Sequence, residues 1–385
     1  MRTGRRALRA SGKQRGRMSR TMATMLAALL CAAAFPARAE DPAEVPQVNF
    51  YAWSGYLSPT VAKDFTKASG IKVIFDTYAS KAEADAKLTA GTSGYDVVVM
   101  SASPYLETEI KAGAYQKLDR AQLPSLAAQD PAVTRLLEVA DPGHEYAAVY
   151  LWGTLGIAYD VDVVKKRAAD APIGSAGLLF NPKVAKKLAG CGIGLIDDPL
   201  VVLPMAMQYL GIDPNKAGEV EYKRATDAVM KIRPYVKYID SNTLLSDLSG
   251  KTICLATEWN GDAIAAANLA RLNRTGANLD YFVPKDGGLA FVDAFAIPKD
   301  APHPASAHAF IDALLQPKAI AQASDEIGYP NAIPASRPLV NANFRDDPRF
   351  FPPDDVKARL TTLKALDPAL AATVAELWAK VKRGY

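Results

Sequence analysis

Histidine and cysteine are scarce in this chain, with three of each in 385 residues. His144, His303 and His308 stand in no paired motif, so neither a zinc spacing nor a histidine-based catalytic pair is on offer. Gly190-Cys191-Gly192-Ile193-Gly194 leads into a strand pattern rather than a helix, which excludes a dinucleotide loop, and no Gly-rich phosphate loop occurs elsewhere. After Phe35 no hydrophobic run is long enough to cross a membrane. Beyond residue 40 there is no low-complexity segment and no repeat of solenoid period. These absences predict no catalytic residue, no metal and no cofactor, and they disfavour an enzyme.

Acidic residues are missing altogether from positions 1–39, which carry Arg2, Arg5, Arg6, Arg9, Lys13, Arg15, Arg17, Arg20 and Arg38. An apolar run from Met22 to Phe35 follows the basic stretch, and Ala37-Arg38-Ala39 supplies small residues for cleavage before Glu40. The pattern predicts an export signal over 1–39 and a periplasmic mature protein. Translation starting at Met18 or Met22 gives the same mature chain. Leu29-Leu30 before Cys31 disfavours a lipid anchor. The net charge of +4 for the whole chain becomes −5 once those nine basic residues are removed. The apparent basic character thus belongs to the signal, and no nucleic-acid partner is expected. A mildly acidic protein suits a cationic ligand, although net charge speaks chiefly to solubility. About 345 residues remain, enough for two domains.

Cleavage would remove Cys31 and leave Cys191 and Cys254. In an exported protein that pair reads as a disulfide, the alternative being two buried thiols.

What the chain does have is a repeated alternation of strand and helix. Val48 to Trp53 reads as a buried strand, and Ser58-Pro59 opens an amphipathic helix that Gly70 stops. A second strand runs from Ile71 to Tyr78 and a helix from Lys81 to Ala90. Tyr95 to Met100 is a continuous apolar strand of the kind covered on both faces. Ser101-Ala102-Ser103-Pro104 then reads as a helix start with a serine cap and proline in the first turn. The short runs Ala147 to Tyr150 and Gly153 to Tyr159, around Trp152-Gly153, mark the expected crossing between domains. Further strands are expected at Cys191–Ile196, Thr252–Thr257, Leu279–Val283 and Leu289–Ile297. Ser241-Asn242 should cap a short helix, and the tail should be mostly helical. The class is α/β.

In open α/β sheets ligands collect at the carboxyl ends of strands. Those ends repeatedly carry an aromatic, a hydroxyl or a carboxylate. Trp53, Ser54 and Tyr56 form the first group, and Ser101 and Ser103 the second. Asp198 is the third, Trp259 and Asp262 the fourth, Phe291 and Asp293 the fifth, and Tyr329 the sixth. Taken singly, Asp198 or Asp262 reads as a helix cap, Ser103 as a cap, and Trp53 and Tyr56 as loop-to-core packing. Together they are what a buried ammonium needs: paired charge against its desolvation and ring faces worth about 0.5–2 kcal/mol each.

With these motifs the chain closely resembles the bacterial periplasmic polyamine-binding proteins of ABC importers, especially their putrescine-binding branch. The resemblance spans residues 47–385. It rests on Tyr51-x-Trp53-Ser54-x-Tyr56, Gly94-Tyr95-Asp96-Val97-Val98-Val99 with the two serines after it, and Tyr150-Leu151-Trp152-Gly153-Thr154. It continues through Ile253-Cys254, Trp259-x-Gly261-Asp262, Phe291-x-Asp293-x-Phe295-Ala296-Ile297-Pro298, Gly328-Tyr329 and Pro352-Pro353. It implies a two-lobed type II periplasmic binding protein fold, each lobe a mixed sheet flanked by helices, joined by crossing strands. Residues 46–151 and 292–337 would form one lobe, and 152–291 and 338–385 the other. It further implies a Cys191–Cys254 pair and an ABC permease in the inner membrane as partner, and the protein is expected to be a monomer. By motif, Trp53, Ser54, Ser101, Ser241, Trp259, Asp262, Phe291, Asp293 and Tyr329 fall on family ligand contacts, and Tyr56 on one from the spermidine branch. Asp262 and Asp293 would hold one ammonium.

Two positions depart from the putrescine branch. Gly55 and Val201 stand where that branch has acids serving the far end of the ligand, and Asp198 matches an aspartate of spermidine binders. The expected ligand is putrescine or spermidine. The alternatives are a monoamine or an amine carrying another group, or a binding protein coupled to a sensor instead of a permease.

Overall fold

The computed structural model describes residues 46–384; the expected export signal, with Cys31 and the Ala39/Glu40 cleavage site, lies outside the described residues. In chain order the strands are β1 (Gln47–Trp53), β2 (Lys72–Tyr78), β3 (Val97–Ser101), β4 (Ala147–Asp160), β5 (Ile193–Leu195), β6 (Tyr238–Ile239), β7 (Leu255–Trp259), β8 (Leu279–Phe282), β9 (Gly288–Ala296) and β10 (Leu360–Thr361).

The local signals at the start of the chain act as expected. Ser58 accepts a hydrogen bond from the Val61 amide at 3.1 Å, Pro59 occupies the first turn, and Gly70 ends the helix Pro59–Ser69. β3 is buried along its whole length because β1 and β9 flank it and apolar side chains cover both faces. β1 pairs in parallel with β2 and with β3, so Trp53 and Ser101 reach the same edge of the sheet.

The hydrogen-bonded order is β2-β1-β3-β9-β4-β7-β5-β6, with β10 on β9 and β8 on β4. β4 and β9 are long antiparallel strands shared by both ends of this order. β9 carries β3 on one flank, and β4 carries β7 through the Leu155↔Trp259 to Tyr159↔Leu255 register. The β4–β9 register shifts between Val149 and Leu151, beside the Leu151↔Asp293 pair.

Four local expectations are revised. The two short runs around Trp152-Gly153 are one 14-residue strand, β4. Gly153 lies within it. A Cβ there would stand 2.3 Å from Phe291 Cε1 and 2.5 Å from Asn260 Oδ1, so the missing side chain makes room for neighbours. After β3 there is no serine-capped helix start. Ser103 is extended (φ −122°, ψ 142°), as the residue before a proline prefers, and the regular helix begins only at Glu107–Lys111. Neither serine acts as an α-helix cap there: Ser101 has no cap bond, and its hydroxyl donates to Asp293. Ser241 does not cap the helix Leu244–Ser249; its hydroxyl accepts the Asp197 amide at 3.0 Å. The strand expected at Cys191–Ile196 shrinks to three residues.

Cys191 and Cys254 form a disulfide with Cα atoms 5.5 Å apart, which removes the free-thiol alternative. The three histidines are structural. His303 bonds Asp96, His308 Nε2 accepts the Asp119 amide, and His144 faces Glu138. Among the described residues no helix is long and apolar enough to cross a membrane.

Candidate functional site

A cavity of about 330 Å³ opens where the carboxyl ends of β1 and β3 meet β9 and the start of the helix Asn260–Asn273. It is lined by Trp53, Tyr56, Lys81, Ser101, Trp259, Asp262, Phe291, Asp293 and Tyr329.

Asp293 forms one pole. It lies on β9 directly across from Ser101 on β3 and is 3% exposed. The Ser101 hydroxyl donates to one of its carboxylate oxygens, and the Tyr56 hydroxyl donates to the other at 2.8 Å. Burial and the neighbouring Asp293 charge push the Tyr56 phenol well above its ordinary value, so it stays a donor. Tyr56 is aimed by a turn in which its amide bonds Trp53 O at 3.1 Å; Gly55 holds φ +81° there, a conformation that favours glycine.

Asp262 sits in the first turn of the helix Asn260–Asn273, where the Tyr329 hydroxyl faces it and favours its charged form. Burial raises its pKa and the Tyr329 hydroxyl only partly offsets this, so the carboxylate gains from an incoming cation. Tyr329 is anchored by its neighbours: the Trp152 amide bonds Pro330 O at 2.9 Å, and Trp152 Nε1 bonds Asn331 O at 3.1 Å. Gly261 lets the helix come close, since a Cβ there would stand 2.6 Å from the Tyr329 ring.

Three rings line the space around these carboxylates. Trp259 and Phe291 have centroids 5.1 Å apart at 87°, and Phe291 and Tyr329 5.2 Å apart at 87°. Edge-to-face packing holds each ring in place. Trp53, packed on Tyr78 at 4.5 Å, forms another wall, and Lys81 Nζ lies 6.0 Å from its ring centre. Two carboxylates, five rings and a narrow volume are a chemistry for ammonium groups on a methylene chain.

Eight of the residues singled out from sequence converge here: Trp53, Tyr56, Ser101, Trp259, Asp262, Phe291, Asp293 and Tyr329. Ser54, Ser103, Asp198 and Ser241 lie outside the lining. Ser54 is exposed on the β1 turn, and Ser103 is half-buried beside Pro104. Asp198 caps the helix Pro199–Tyr209 by accepting the Leu200 amide at 2.8 Å. Gly55 and Val201 are outside as well, Val201 being buried in the core. Lys81 was missed. It follows the carboxyl end of β2, so the strand-end rule that found the other groups, applied to β2, would have found it too.

Glu258 was also missed. It is 3% exposed at the end of β7 behind Asp262, and burial with the Asp262 charge pushes its carboxyl up to about 8. Glu109 is likewise raised by burial, to about 8. A carboxyl whose folded pKa exceeds its unfolded one takes up a proton on folding. Stability therefore falls as pH rises from about 4.5 to about 8 and levels off above that. Each group adds a slope of up to about 1.4 kcal/mol per pH unit. Glu258→Gln should flatten the dependence by one group's share. Urea unfolding of both proteins at pH 5.5 and 8.0 checks this, and parallel pH profiles would refute it.

A larger hollow, about 820 Å³, lies against the disulfide and is lined by Lys166, Arg167, Lys237 and Lys251. Its one acid, Asp160, already faces Lys251 at 3.7 Å, so it does not suit an amine.

The comparisons with known proteins agree with this geometry. Residues 60–352 match the family described as bacterial extracellular solute-binding protein. The chain is 40% identical over 344 residues to the putrescine-binding periplasmic protein PotF of Escherichia coli, covering 89% of this chain and 93% of that one. It is 40% identical over 338 residues to the putrescine-binding periplasmic protein SpuD of Pseudomonas aeruginosa, covering 88% and 92%. The crystal structure of the spermidine/putrescine ABC transporter substrate-binding protein PotD from Streptococcus pneumoniae superposes with a TM-score of 0.77 at 22% identity, covering 88% of this chain and 99% of that one. The last likeness shows the fold, that of type II periplasmic binding proteins. A family match over most of the chain and 40% identity along nearly its whole length place this protein in the bacterial extracellular solute-binding protein family.

Proposed function

We propose that this protein is the periplasmic solute-binding component of a polyamine ABC importer, capturing putrescine- or spermidine-type amines and delivering them to a membrane permease. The observation that carries the reading is the convergence of Asp262 and Asp293 with Trp259, Phe291 and Tyr329 in one small cavity. Relatives 40% identical along nearly the whole chain are named as putrescine-binding periplasmic proteins, which supports both ligand class and compartment.

The mechanism is conformational. Residues 46–151 and 292–337 form one lobe, and 152–291 and 338–385 the other. The boundary falls at the register shift of β4 beside Asp293, where two shared strands can bend. Trp53, Lys81, Ser101 and Tyr329 come from the first set, and Trp259, Asp262 and Phe291 from the second. An ammonium between Asp262 and Asp293 therefore favours the closed form by its contacts with both, and a ligand shifts the two states only by that difference. The closed monomer is the form that docks on the permease.

Calorimetric titration of residues 40–385, refolded free of ligand, tests the reading. Putrescine, cadaverine, spermidine, agmatine and simple monoamines form the panel, with neutral α-amino acids as controls. Saturable binding of one or more amines at micromolar concentration is expected, with no heat from the controls. Silence across all the amines would overturn the assignment.

A further inference from the structure

The cavity contains a charge that a plain diamine does not want. Lys81, the first residue of the helix Lys81–Thr89, lines the same space as Asp262 and Asp293, with its ammonium 6.0 Å from the Trp53 ring. The two carboxylates are tied to the part of the cavity built from Ser101, Tyr56 and Tyr329. Lys81 is tied to the Trp53 wall, so the lining is polar at two separate places with opposite signs. Among the described residues Lys81 makes no direct ion pair. Asp198 attracts it from a distance, but that carboxylate is engaged as a helix cap on the Leu200 amide and does not line the cavity. Lys81 is only half-buried and its charge remains directed at whatever fills the space. Gly55, in the turn beside Trp53, is open to solvent and supplies no acid to offset it.

From this juxtaposition we infer that Lys81 is a specificity-determining residue, and that the ligand the site prefers carries an ammonium at one end and a carboxylate at the other: a short ω-amino carboxylate. The inference rests on the amine-importer reading for its ammonium end and refines only the distal end. An ammonium held by Asp262 and Asp293 leaves the other end of a four- or five-carbon chain to meet Lys81. A second ammonium there is repelled, whereas a carboxylate gains a charge-assisted partner. Specificity then comes from a repulsive element as much as from an attractive one. The Trp53 face packs the methylene chain in either case.

The test is titration of ligand-free protein with putrescine, cadaverine, 4-aminobutyrate and 5-aminopentanoate, repeated on Lys81→Gln and Lys81→Glu. The wild type should bind each amino carboxylate at least tenfold more tightly than the diamine of matching length. Lys81→Gln should abolish that preference, and Lys81→Glu should invert it by tenfold or more. Both substitutions lie at the start of a helix with a half-buried side chain, and an unchanged melting temperature of the free variants establishes that their folds are intact. Diamine binding that equals or exceeds amino-carboxylate binding in the wild type, and that Lys81 variants do not alter, overturns the inference while leaving the amine reading in place. Binding by none of the four compounds overturns the inference, and the amine reading falls with it only if spermidine, agmatine and the monoamines are silent too.

Discussion

Asp293→Asn should weaken the binding of every amine that the wild type binds by a factor between roughly 30 and several thousand, while leaving the free protein at least as stable. Truncating one partner of a buried, hydrogen-bonded charge pair costs about 2–5 kcal/mol of affinity. Asp293 meets the conditions for the full effect: it is 3% exposed, and its oxygens are held by Ser101 and Tyr56, so it cannot turn away from the cavity. Without ligand the same features work against the folded state, because among the described residues no cation pairs with the buried charge. Asparagine keeps the shape and one acceptor while removing that charge. Loss of affinity and retained or increased stability are therefore expected together. Calorimetric titration and thermal unfolding of the free variant measure the two. An affinity within threefold of wild type would mean that Asp293 does not hold the ammonium. A large drop in melting temperature would mean that it is a structural acceptor first.

The second large effect concerns stability. Replacing Cys191 and Cys254 together by alanine should lower the unfolding free energy by about 4 kcal/mol, since the bridge closes a long loop, the cysteines being 63 positions apart, in the unfolded chain. In the native state the bridge ties the start of β5 to the start of β7, which pair in parallel at Ile193↔Leu255. β7 ends at Trp259, just before the helix that carries Asp262. Urea denaturation of oxidised wild type and the double variant measures the difference. A change under about 1 kcal/mol would show that the unfolded chain is already constrained or that the neighbouring packing compensates.

The parts that could be read from sequence share a physical cause. The helix Pro59–Ser69 announces itself through Ser58, Pro59 and Gly70 because its caps and its apolar face are all local. β3 announces itself through an unbroken apolar run. Elements with local signals are legible to within a few residues, and strand ends carrying aromatics and acids point to one crevice. The misreadings also share a cause. The two short runs around Trp152-Gly153 are one strand because β9, from a distant part of the chain, pairs along it, and Phe291 and Asn260 fill the space beside Gly153. Ser103 reads as a helix cap from its neighbours, whereas the proline after it keeps it extended. Ser241 reads as a cap, whereas the amide of Asp197, from another segment, claims its hydroxyl.

The alternation of strand and helix, the α/β class, the candidate cysteine pair and the kinds of side chain available at strand ends are all legible along the chain. Each depends on residues close together in the chain or on composition. Which of those side chains share a cavity depends on how distant strands pair. Ser101 and Asp293 are 192 positions apart, and their contact exists because β3 and β9 pair antiparallel in one register. Sliding that register by one residue would turn Asp293 to the other face of the sheet. Strand pairing likewise brought Lys81, which follows β2, to the Trp53 wall. The sign of the charge at the distal end of the cavity is a property of how distant segments meet, and no local pattern encodes it.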